Sequence, residues 1–118
     1  MLKRKVVELP IFPVNVNFVS GDYNEFIQYL AECYNHSIEA LQGEAETHCI
    51  CGQHYIWFNE DTVTIPVMYH ELGHVTFNIM TDIGMELTDQ EAFCYIQEYL
   101  FEQISKYVYN LHWRSIQQ

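Results

Sequence analysis

The alternation of hydrophobic and polar positions divides the chain into elements. In Val14-Asn15-Val16-Asn17-Phe18 apolar and polar residues alternate, the period of a half-buried strand. Asp22 with Glu25 three residues on forms a capping-box-like start, and Phe26, Ile27, Leu30, Cys33 and Tyr34 follow at helical spacing. These positions predict a first helix from about Asp22 to Asn35. The polar, acidic stretch from His36 to Glu46 reads as a loop. Two short strands follow, His48–Cys51 and His54–Phe58, separated by Gly52-Gln53. Glycine at the first central position suits a type II′ hairpin turn.

A longer helix is expected from Thr64 to about Thr81, with Pro66 near its start, where a missing N–H costs nothing. Ile65, Met68, Leu72, Val75 and Ile79 mark one side; Val67, His70, His74 and Phe77 mark another. A helix apolar on two sides is expected in the middle of a domain. Gly84 is placed to end it. The last helix takes Thr88 as N-cap and runs from Asp89 to about Leu111, with Phe93, Ile96, Leu100, Ile104 and Val108 as its core stripe. The order strand, helix, hairpin, helix, helix predicts an α+β domain, a small mixed three-stranded sheet packed on two or three helices.

Composition narrows the picture. With 118 residues, 49% of them hydrophobic, the chain suits one packed domain spanning 1–118, its first nine residues a candidate flexible basic arm. Charge is lopsided: 5 Lys+Arg against 16 Asp+Glu give a net charge of -11. Lys3, Arg4 and Lys5 open the chain, Lys106 and Arg114 sit near its end, and the acids lie between them. Such a body is repelled by phosphate backbones and anionic lipid, so neither nucleic acid nor a membrane is an expected partner. No apolar run is long enough to span a bilayer. Glu8, Pro10 and Pro13 interrupt the apolar stretch that a signal peptide needs, so the four cysteines are expected to be reduced thiols in a cytoplasmic protein.

The candidate chemistry is His70-Glu71-Leu72-Gly73-His74, an HExxH sequence inside the predicted helix. Residues four apart project from one helix face about 6 Å apart along the axis, so two imidazoles can converge on one tetrahedral Zn2+. Glu71 lies beside them, placed as general base for a water the metal activates. A third protein ligand is required, and Asp82, Glu86, Asp89, Glu91, Glu98 and Glu102 are the downstream candidates. Glu91 leads, because a helix returning antiparallel after Gly84 brings its first turn beside the histidines. The competing role for Glu91 is a capping box with Thr88, and Asp89 is the next ligand candidate. Tyr95, one turn after Glu91, is a candidate oxyanion stabiliser or a packing residue. Gly73 reads as a point of close helix approach.

His48, Cys49, Cys51 and His54 form a second cluster of metal-ligand types. Strand alternation sets Cys49 and Cys51 on one side and His48 on the other, so the expectation is two half-buried hairpin cysteines and no second metal.

Over roughly Trp57 to Leu100, on His70–His74 followed by Glu91-Ala92-Phe93, the sequence resembles the gluzincin class of zinc metallopeptidases, in particular its minimal and small phage-encoded members and, more distantly, the ImmA/IrrE type. The resemblance implies a zincin-like fold, His70, His74 and Glu91 as zinc ligands, and Glu71 as the base. It also implies that His54–Phe58 is the sheet edge that pairs with an extended peptide. The spacing from His74 to Glu91 is shorter than in the large gluzincins, and the pattern of these residues predicts no second subdomain to wall a cleft. The function expected is hydrolysis of peptide or protein substrates, preferably basic ones. The alternative is a metal-stabilised acidic binding protein, of phage type, with little or no hydrolase activity.

Overall fold

A computed structural model describes residues 2–10, 12–35, 38 and 43–107. Four strands, β1 (Lys3–Glu8), β2 (Asn15–Ser20), β3 (Ala45–Ile50) and β4 (Gln53–Phe58), form one mixed sheet in the order β1-β2-β4-β3. β1 pairs antiparallel with β2, β2 parallel with β4, and β3 antiparallel with β4. Three helices, α1 (Tyr23–Tyr34), α2 (Ile65–Asp82) and α3 (Gln90–Tyr107), complete an α+β fold.

The sheet separates two cores. Val19, Tyr55 and Trp57 point to one face, where Phe26 and Leu30 of α1 cover them. Val16, Phe18, Ile56 and Phe58 point to the other, against Met68, Leu72, Val75 and Ile79 of α2 and Ile96, Leu100 and Ile104 of α3. This is the period-two alternation of strands meeting the apolar stripes of helices.

Local chemistry sets the helix ends. Asp22 accepts a hydrogen bond from the Glu25 N–H at 2.9 Å and caps α1. Thr64 caps α2 through the Val67 N–H, with Pro66 in the first turn. After α2, Gly84 takes φ 72°, and the N–H groups of Met85 and Gly84 donate to the carbonyls of Met80 and Thr81, a Schellman ending.

Several expectations are corrected. The sheet has four strands, not three: residues 3–8 of the presumed basic arm form the edge strand β1. Charged side chains are what solvent-facing edge strands carry. The hairpin turns at Cys51-Gly52, both with positive φ as a type I′ turn requires, and not at Gly52-Gln53. Its pairing is Cys49 with His54 and Ile50 with Gln53. β4 is interior, between β2 and β3, so the free edge beside α2 belongs to β3 and not to His54–Phe58. Ala45 and Glu46 belong to that strand, while most of the predicted loop before them lies outside the described residues. α2 is buried on one side only: His70, His74 and Phe77 face solvent. The N-cap of α3 is Asp89, whose carboxylate accepts from the Ala92 N–H at 3.0 Å, and not Thr88. Val108 and the expected helix end at Leu111 lie outside the described residues. Among the described residues no helix is long and apolar enough to cross a membrane.

Candidate metal centre

Met68, Leu72 and Val75 anchor α2 to the sheet, and that anchoring turns His70 and His74 outward. Their Nε2 atoms stand 3.1 Å apart, with the rings nearly perpendicular at 84°. Glu71 projects toward β3 and is 8% exposed, the one buried carboxylate of this helix. Thr47 of β3 donates from Oγ1 to Glu71 Oε1 at 2.8 Å and lies 3.2 Å from the Glu71 carbonyl oxygen. The other carboxylate oxygen, Oε2, lies 3.9 Å from His70 Nε2. One oxygen of Glu71 is thus held by a hydroxyl, and the other faces the imidazoles.

The ligand atoms of His70, Glu71 and His74 all lie within 4.8 Å of one another. Two nitrogens 3.1 Å apart, each at the usual zinc–imidazole distance of about 2.05 Å, subtend roughly 98° at a shared ion, close to tetrahedral. The pair therefore fits one small divalent cation. An open groove of about 360 Å³ runs beside it, lined by Ala45, Thr47, Glu71, His74 and Asn78. Its far wall is β3, the edge strand.

α3 runs antiparallel to α2. Tyr69 stacks on Phe101 with ring centroids 4.4 Å apart, and Gln97 donates to the Tyr69 carbonyl at 3.2 Å. Glu91 is exposed in the first turn of α3 and lies outside the His70-Glu71-His74 group. The cap of α3 is supplied by Asp89 and not by Thr88, so the Thr88–Glu91 capping box is not formed and Asp89 is itself engaged. Glu98, next to Gln97, and Glu102, next to Phe101, are the exposed acids of α3 at this level, and Glu91 lies six residues before Gln97. Tyr95 is 48% exposed and is not a core residue. A methyl group built at Gly73 would meet only the Gln97 amide nitrogen, at 3.7 Å, so the helices do not need glycine there for close approach.

Thr47 is the residue that sequence reasoning missed at this centre. It carries no motif, and its only signal is that it shares a strand face with Cys49, two residues on.

The second cluster resolves differently from its expectation. His48 does face away from Cys49, packing on Phe26 and lying 3.2 Å from Glu46. Cys51 sits in the turn. Cys49 and His54, however, are cross-strand partners on the α2 face, and Asp82 at the end of α2 joins them: their ligand atoms lie within 4.8 Å of one another. Burial holds the His54 imidazole below its ordinary pKa, against the opposing pull of Asp82, so it is favoured as the neutral ring. Burial, with the Asp82 charge second, holds the Cys49 thiol above the usual range.

No protein-family model, curated protein or solved structure matches the chain.

Proposed function

We propose that this protein is a small zinc-dependent metallopeptidase with a zincin-like arrangement of sheet and active helix. The observation that carries the reading is the convergence of His70 and His74 on one point, with Glu71 anchored by Thr47 beside it. His70 and His74 hold the metal, and Glu91 of α3 is the third ligand. Zinc, the cation that two imidazoles and a carboxylate suit best, supplies a Lewis acid for the peptide carbonyl and a water of lowered pKa. Glu71 accepts the water proton at Oε2, the free oxygen of its carboxylate. The water oxygen bonds to the carbonyl carbon, the C–N bond breaks, and Glu71 returns the proton to the departing amine. The free edge of β3 borders the groove and offers backbone N–H and C=O groups to an extended substrate segment. A net charge of -11 favours basic segments.

The test is cleavage of an unfolded, lysine-rich protein by the zinc-loaded chain and by Glu71→Gln. Cleavage lost in Glu71→Gln, with zinc still bound, is the expected result. Equal cleavage by both, or a chain that takes up no metal when zinc is supplied, overturns the reading. One observation favours the second reading, a metal-stabilised acidic binding protein: the histidine face opens to solvent and the described residues wall it on the β3 side alone. Under that reading Glu71→Gln leaves function intact.

A further inference from the structure

We propose that Cys49, His54 and Asp82 form a second divalent-metal site, of zinc type, at the end of α2 remote from His70 and His74. Asp82 lies eight positions along the helix from His74, about 12 Å along the axis, so the two sites do not share an ion.

Three features carry the site. The first is geometry: a thiol, an imidazole and a carboxylate bring their ligand atoms within 4.8 Å of one another from three different elements, β3, β4 and α2. His54 Nε2 lies 3.0 Å from Asp82 Oδ2, and two such atoms bound to one zinc at about 2.05 Å subtend roughly 94°. The second is the state of His54. It is 1% exposed; its Nε2 meets the Asp82 carboxylate at 3.0 Å and its Nδ1 makes no hydrogen bond. A buried imidazole pressed against a carboxylate is costly to keep, and an ion shared by Nε2 and Asp82 turns that contact into joint ligation. The third is access. His54 and Asp82 line an opening of about 470 Å³ together with Asn15, Gly52 and Gln53, through which an ion can enter and a water can take the fourth position.

The charges balance. Binding displaces the Cys49 proton to solvent, and one thiolate with one carboxylate then neutralises a divalent cation. The repulsion between Asp82 and an ionised Cys49 becomes shared attraction to the ion. Sulfur, nitrogen and oxygen together suit zinc or cobalt and not magnesium or calcium, which take oxygen donors. An ion there would pin the β3–β4 hairpin to the end of α2.

The experiment uses the full chain carrying His70→Ala/His74→Ala, which removes the first site and makes the result independent of any peptidase activity. This protein is titrated with Co2+ alone and followed by near-ultraviolet thiolate-to-cobalt charge transfer. One cobalt per chain with a charge-transfer band is expected, and added Zn2+ should displace it. Adding Cys49→Ser removes the band, whereas adding Cys51→Ser preserves it. Asp82→Asn weakens cobalt binding by at least the roughly 100-fold that loss of an outer-shell partner already costs. Cys49 and Asp82 are both exposed, so these variants keep the fold, which circular dichroism checks. No cobalt uptake by the double variant, or a band that survives Cys49→Ser, overturns the proposal.

Discussion

Thr47 Oγ1 donates a hydrogen bond to Glu71 Oε1 at 2.8 Å, joining the edge strand of the sheet to the buried carboxylate of the histidine helix. The bond holds Glu71 in a conformation that leaves Oε2 turned toward His70. An acid–base group works only when its proton-accepting atom is already aimed, so this hydroxyl is a positioning group for the proposed chemistry.

Thr47→Val keeps the shape of the side chain and removes the donor. Hydrolysis is expected to fall by about 10- to 100-fold, mainly in kcat, with metal content unchanged. Thr47→Ser, which keeps the hydroxyl, should restore most of it. Glu71→Gln removes the proposed base itself and should cost about 100- to 10,000-fold. Equal rates for Thr47→Val and wild type would mean that Glu71 needs no such anchor.

The two acids that open α3 are expected to separate cleanly. Asp89 caps the helix, so Asp89→Ala should lower stability by about 1 kcal/mol in urea unfolding and leave the zinc content alone. Glu91 is exposed and uncommitted to the cap, so Glu91→Ala in a Cys49→Ser background, which leaves only the histidine site, should lose its zinc while shifting the metal-free protein by no more than about 0.5 kcal/mol. Glu98→Ala is the control. If zinc leaves with Glu98→Ala and stays with Glu91→Ala, the third ligand is Glu98.

What the sequence reveals here is mostly what is decided locally. Asp22, Pro66 and Gly84 start or end their helices within a few residues of themselves, and each does what its pattern predicts. The HExxH spacing likewise converges on one face, because a helix repeat alone makes it so. The misreadings are non-local. Lys3, Arg4 and Lys5 look like an arm because an edge strand and a solvated tail present the same charges. Gly52 fits either central position of a two-residue turn, and choosing the first moved the pairing by two residues, setting Cys51 opposite His54 where Cys49 belongs. Thr47 and Asp82 reach their partners only through the packing of α2 on the sheet, which no spacing along the chain encodes.

Gly73 lies inside the motif, in the middle of α2, where glycine costs helix stability. A Cβ there would make an ordinary contact of 3.7 Å with the end of the Gln97 side chain. Gly73→Ala should therefore raise stability by about 0.5 to 1 kcal/mol, read as a higher urea midpoint at unchanged slope. Metal binding should be kept, since position 73 faces α3 and not the imidazoles. A destabilised variant would show that α3 tolerates no side chain at this crossing.

The alkaline limit of stability should be set in part by Tyr55. Its ring is 5% exposed between Phe26 and Tyr34, and its hydroxyl lies 2.7 Å from that of Tyr34. Burial first, and the Tyr34 hydrogen bond second, push its pKa well above the usual tyrosine value. Above about pH 10 the unfolded chain gives up this proton while the folded chain keeps it, so the native state holds more protons and stability falls as pH rises. Below that pH both states keep the proton and stability does not depend on it. Urea midpoints followed upward from about pH 8 should decline once the pH passes about 10, where Tyr55 of the unfolded chain ionises. Tyr55→Phe should flatten the decline without abolishing it, because burial raises Tyr29 as well. Tyrosinate absorbance of the folded protein gives the independent check: Tyr55 should stay silent until the chain unfolds. If all tyrosines instead titrate together in the folded state, the Tyr34–Tyr55 contact is open to solvent in solution.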